Sequence, residues 1–220
     1  MPKLRFLPVI VAAGLGLGVV VPAQANPDFS PTVKFKPSST LVRANPKITV
    51  TVSQDSGEDS LKSIEFDIPR GFKLVGDAAI QDGEKLGQGN IKVALQFFGC
   101  SEQAQAQFDA SINEKDRTQD DISKGVKAVW QVDLQFTQID LRVYGSTASG
   151  WKLKADIPEE STQATCPPFT AIVALNKKSS DSSKPIWRNP RAPGRYVLKG
   201  KFTSTKDQTV TVRQAIRIHA

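Results

Sequence analysis

The run WQVDLQFTQIDLRV, residues 130–143, decides the fold class. Trp130, Val132, Leu134 and Phe136 alternate with polar residues, and Ile139, Leu141 and Val143 continue the alternation. A period of two sends one set of side chains into a core and the other into water, which is the signature of a half-buried strand. The pattern recurs in both directions along the chain. Upstream it takes in Ile48, Val50 and Val52, then Ile64, Phe66 and Ile68, then Ile91, Val93 and Leu95, then Phe108, Ala110 and Ile112. Downstream it takes in Trp151, Leu153, Ala155 and Ile157, then Tyr196, Leu198 and Phe202 with Gly200 in line, then Val210, Val212, Ile216 and Ile218. No stretch carries a helical stripe. Residues 101–107, after Cys100, are the one candidate for a short helix.

Turn chemistry separates these runs: Asn45-Pro46, Asp55-Ser56-Gly57, Pro69-Arg70-Gly71, the stretch 87–90 and Pro193-Gly194. Short alternating strands punctuated by Gly, Pro and Asn predict an all-β chain, an antiparallel β-sandwich of immunoglobulin-like or related type. Two polar stretches, 113–124 and 176–184, read as exposed loops. The second, with its KKSSDSSK core, is the best candidate for a mobile, protease-sensitive loop.

The N-terminus reads as a secretory leader. Lys3 and Arg5 precede a charge-free run from Leu7 to Val21, Pro22 breaks it, and Ala23-Gln24-Ala25 supplies the small-x-small cleavage pattern. This predicts a signal peptide at 1–25 and one domain at 26–220, with no membrane span in the mature chain and a secreted, extracellular or cell-wall location. The formal charge of +7 falls to about +5 once Lys3 and Arg5 are removed, a mild bias toward anionic partners. Export also changes how the two cysteines read. Cys100 and Cys166 are expected to pair, closing a long loop worth about 4 kcal/mol in chain entropy. Two distant cysteines and a lone His219 make no usual metal set, so neither metal nor cofactor is implied.

The stretch LKSIEFDIPRGFKL, then GEKLGQGNIKV, and later TCPPFTAIVAL and RNPRAPGRYVLKGKF, resemble a class of secreted actinobacterial β-sandwich proteins of unknown function. The likeness covers under half the chain. It implies export and a sandwich, and it lends no catalytic residue.

Candidates for chemistry are few. Nucleophilic catalysis needs a base, and the single histidine, His219, is one residue from the C-terminus. The acidic residues fall mostly in polar turns, among them Asp116, Asp120, Asp121, Glu159 and Glu160. Asp55, Glu58 and Asp59 have a weak calcium-loop flavour that a plain turn explains. Trp130 and Trp151 fall in register with apolar partners and read as core. Trp187 stands in PIWRNPRAPGR beside Arg188, Arg191 and Arg195, an aromatic flanked by arginines. It is either an anionic-ligand contact or a plug over the end of the fold. The sequence therefore points to a non-catalytic envelope protein that binds cell-wall polymer or carbohydrate and no nucleic acid. The alternatives are a secreted hydrolase with a carboxylate site, and an adhesin- or chaperone-like module acting through a sheet edge.

Overall fold

In the computed structural model, which describes residues 29–74, 80–100, 103 and 105–220, the chain is all-β. The leader, 1–25, lies outside the described residues. The alternating runs become β1 (Thr32–Pro37), β2 (Ile48–Gln54), β3 (Leu61–Ile68), β5 (Lys85–Leu95), β6 (Gln105–Lys115), β7 (Ala128–Leu134), β8 (Thr137–Ser146), β9 (Gly150–Asp156), β10 (Thr165–Leu175), β12 (Gly194–Ser204) and β13 (Thr209–Ile218). Two short pieces, β4 (Lys73–Leu74) and β11 (Trp187–Arg188), pair with each other. The eleven long strands form one antiparallel sheet in the order β1-β2-β10-β5-β6-β7-β8-β9-β3-β12-β13. The strands expected of a sandwich are thus joined in one continuous ladder.

That sheet is nearly closed. Its two edge strands, β1 and β13, meet at a seam bridged by one side chain. Gln214 on β13 accepts from the Phe35 backbone N–H at 2.7 Å and donates to the Phe35 carbonyl at 2.8 Å. A side-chain amide offers the same donor and acceptor as a peptide, so Gln214 supplies one rung of the missing ladder. Below it, the His219 N–H donates to Thr40, and the Val42 N–H donates to His219. His219 is therefore held as a backbone clasp at the seam and not as a frayed terminus.

Inward faces carry the alternating apolar set. Phe35, Phe66 and Phe202 stack edge-to-face at 5.4 and 6.2 Å and fill the side of the interior next to the seam. Gly200 makes room for them, because a Cβ there would come within 3.0 Å of both Val33 and the Phe202 ring. The other side of the interior is not filled. An apolar lumen of about 220 Å³ remains between the aromatic trio and the wall from β5 to β9. Left empty, such a void costs on the order of 5 kcal/mol, at about 24 cal/mol per Å³.

The two ends of the sheet differ. The first end is crossed by the segments after β3, β6 and β10. The second carries α2 (Glu159–Ala164), a 3-10 turn at Gln96–Phe98 and the Cys100–Cys166 disulfide, whose Cα atoms are 5.7 Å apart. Of the short helix expected at 101–107, Gln103 lies in a 3-10 turn, Gln105–Gln107 already belong to β6, and Ser101, Glu102 and Ala104 lie outside the described residues. Helix appears instead inside the expected loop 113–124, as α1 (Gln119–Ser123). Thr118 caps it, with Asp121 returning the bond, and Arg142 pairs with Asp121 at 2.8 Å. The loop at 176–184 is pinned: the buried Glu84 accepts from the Asp181 N–H at 2.8 Å, the Ser182 N–H at 2.6 Å and the Ser182 hydroxyl at 3.0 Å.

Replacing Gln214 with Ala leaves both Phe35 backbone groups unpaired at the seam. The expected cost is about 1–3 kcal/mol in urea unfolding, with faster amide exchange at Phe35 than elsewhere in β1. Unchanged exchange there would show that Gln214 does not hold the seam.

Candidate functional site

The first end of the sheet is sealed by the β4–β11 ribbon. Strand alternation gives that ribbon two faces. Leu74 and Trp187, directly paired, point inward and are 2% and 3% exposed. Lys73 and Arg188, the next pair, point outward and are exposed. Phe72 and Ile186 complete the seal, and Phe72 packs on Trp187 at 5.2 Å and edge-on to Tyr196 at 5.3 Å. Trp151 donates its indole N–H to the Phe72 carbonyl at 2.9 Å. Trp187 is thus a plug beneath the surface, and its arginine neighbours are the part of PIWRNPRAPGR that meets solvent.

Those arginines line a groove of about 1030 Å³ on the outer face of the seal. Arg188, Arg191 and Arg195 come together there with Arg70 and Lys73, and among the described residues no carboxylate lines it. All five cations are exposed, and among the described residues none of them forms an ion pair. Arg188 is oriented by Asn45, which accepts from its Nε at 3.1 Å. Arg70 and Lys73 were not singled out by the sequence. Their only signal is the Pro69-Arg70-Gly71 turn, which reads as punctuation until the fold carries it to the other side of the groove.

The groove is held from three directions. The buried Asn189 donates to the carbonyls of Ser39 and Leu41, each at 3.0 Å. Its backbone N–H donates to Ala44 at 2.9 Å, and the Arg43 N–H donates to Pro190 at 3.0 Å. The Tyr196 hydroxyl donates to the Ala192 carbonyl at 2.9 Å, closing the proline-rich turn. Gly71 has φ of +98°, and a Cβ there would press on Pro190 at 3.3 Å, so the two walls meet only because this residue is glycine.

A second group of charged residues lies at the same end. Burial would raise the Glu84 carboxyl, but hydrogen bonds from Ser179, Ser182 and Gln81 outweigh it and hold it at about 2. Glu114, 3% exposed, is pushed up to about 8 by burial and by the neighbouring Glu84, Asp116 and Asp82 carboxylates. Two carboxylates driven apart in this way would suit acid–base chemistry. Neither borders the lumen or the basic groove, however, and Glu84 is occupied by the 176–184 loop. The turn at Asp55 is occupied too: Glu58 accepts from Ser30, and Asp59 pairs with Lys206 at 2.6 Å.

No family model matches the chain, and no curated protein is significantly similar to it.

Replacing Trp187 with Ala empties the seal and should cost about 3–5 kcal/mol in chemical denaturation. A loss below 1 kcal/mol would show that the indole is not a plug. Stability should also depend on pH through two opposed groups. Glu84, held at about 2, contributes stability above its unfolded value of 4.5 that is lost as pH falls toward 2. Glu114, at about 8 in the fold, contributes stability below 4.5 that is lost as pH rises toward 8. Glu114→Gln should therefore flatten the decline in melting temperature between pH 4.5 and 8 and leave the acid limb unchanged.

Proposed function

We propose that this chain is a non-catalytic, secreted or cell-wall-associated protein on a β-sandwich-related frame, and that its basic groove holds an anionic envelope polymer. The observation that carries this reading is the convergence of Arg70, Lys73, Arg188, Arg191 and Arg195 on one pinned surface, with no carboxylate among its described residues. Guanidinium groups match phosphate and carboxylate oxygens in a bidentate fork, and a rigid surface loses little entropy on binding. The resemblance to secreted actinobacterial sandwich proteins and the leader-like N-terminus agree with an envelope setting.

The groove favours an anionic polymer over a neutral carbohydrate. Sugar stacking needs an exposed aromatic face, and Trp187 is buried under the ribbon. A hydrolase is less well supported, because the most perturbed carboxylates are enclosed and Glu84 is spoken for. An adhesin acting through a sheet edge is less well supported as well, because β1 and β13 face each other across the Gln214 seam.

The test is retention of the mature protein on immobilised wall polymer bearing phosphodiester groups. Arg188→Ala with Arg191→Ala should lower affinity at least tenfold, and wild-type retention should fall steeply as salt is raised. The melting temperature of the double variant should stay within about 2 °C of wild type, since exposed side chains contribute little to stability. Salt-insensitive retention, or retention untouched by the double substitution, would sink the reading.

A further inference from the structure

The lumen is a second site, independent of the groove. Its lining is apolar from Trp130 and Leu153 to Leu134 and Phe169, apart from Asn90 midway along β5 and a few hydroxyls. The hydroxyls that reach it cluster at the second end and are already engaged. Ser161 donates to Thr137 at 2.8 Å, and Thr165 donates to the Ser161 carbonyl at 2.7 Å. A buried water needs two to four polar partners, and apart from Asn90 and the indole N–H groups of Trp130 and Trp187 the described lining between the two ends is apolar, so most of the space suits an apolar guest better than solvent.

Shape narrows the guest further. The lining follows the chain from Trp130 to Phe136, about 20 Å at strand rise. A volume of about 220 Å³ along that path has room for one flexible chain. The ends are unequal. The β4–β11 ribbon closes the first with buried Phe72, Leu74, Ile186 and Trp187. At the second, Phe136 lines the lumen and is still 38% exposed, so the lumen reaches the surface there. Phe97, 91% exposed, and Phe98, 60% exposed, stand at that same end. The disulfide ties their turn to the strand that carries Thr165 and Phe169.

We propose that the lumen binds a single alkyl chain, that of a fatty acid or an acyl lipid, which enters past α2 and Phe136 with its polar head left at the surface. The affinity comes from burying methylene groups against a wall that already exists, so little reorganisation opposes it.

The experiment uses lipid-stripped mature protein and nitroxide-labelled stearate. Trp130 and Trp187 both border the lumen, so bound probe should quench at least half of the tryptophan emission, saturating near one probe per protein. Palmitate should displace the probe and cholesterol should not. Ala155→Leu on β9 and Ala171→Leu on β10 each fill the lumen from a different strand. Each should weaken probe binding at least tenfold while raising the melting temperature. If one of them melts early, the other carries the comparison, and the wild-type displacement stands without either. Arg188→Ala with Arg191→Ala should leave quenching unchanged, which separates failure of this site from failure of the groove. Absence of saturable quenching, displacement by cholesterol but not palmitate, or unaltered affinity in a folded lumen-filled variant would overturn the proposal.

Discussion

The structure depends on how an eleven-stranded sheet disposes of its two edges. An open edge leaves a row of unpaired peptide groups that invites aggregation. Here the edges are brought together and clasped by the Gln214 amide and by the backbone of His219. Closure gives every alternating strand an inside. It stacks Phe35, Phe66 and Phe202 beside the seam and leaves the opposite wall to enclose a lumen. Eight strands make an interior that side chains just fill, and eleven leave more room than these side chains occupy.

The same closure makes the two ends chemically distinct. At one, the β4–β11 ribbon turns alternation to a second purpose. Its inner residues, Leu74 and Trp187, seal the core, and its outer residues, Lys73 and Arg188, begin a basic surface. At the other, a disulfide, a short helix and exposed phenylalanines surround the place where the interior reaches solvent. A basic surface and the opening of the apolar interior are thereby kept at opposite ends of one frame, each with its own supporting contacts.

Buried charge marks where the fold is most constrained. Glu84 is enclosed because it organises a serine-rich segment that has few apolar side chains of its own. The segment is the loop its composition suggests, and Glu84 pins it. Asp121 does the same for α1: burial disfavours its charge, but Arg142 and Thr118 more than compensate and hold its carboxyl at about 2. In both places one acidic residue converts a polar stretch into an ordered cap over the first end.

The sequence by itself determined the strands, because alternation is local: each inward set, such as Trp130, Val132 and Leu134, can be read from a few neighbouring residues. It also determined the pairing of Cys100 with Cys166, since only two thiols were available. It left Trp187 open between plug and ligand contact, and tertiary packing decided for the plug by laying the Phe72 ring against it. Tertiary structure also decided that Arg70 and Lys73 join Arg188, Arg191 and Arg195, across more than a hundred residues of chain. The closure, and with it the lumen, was likewise decided only in three dimensions. Alternation says which side chains face in, but nothing local says how many strands share that interior or whether their side chains fill it.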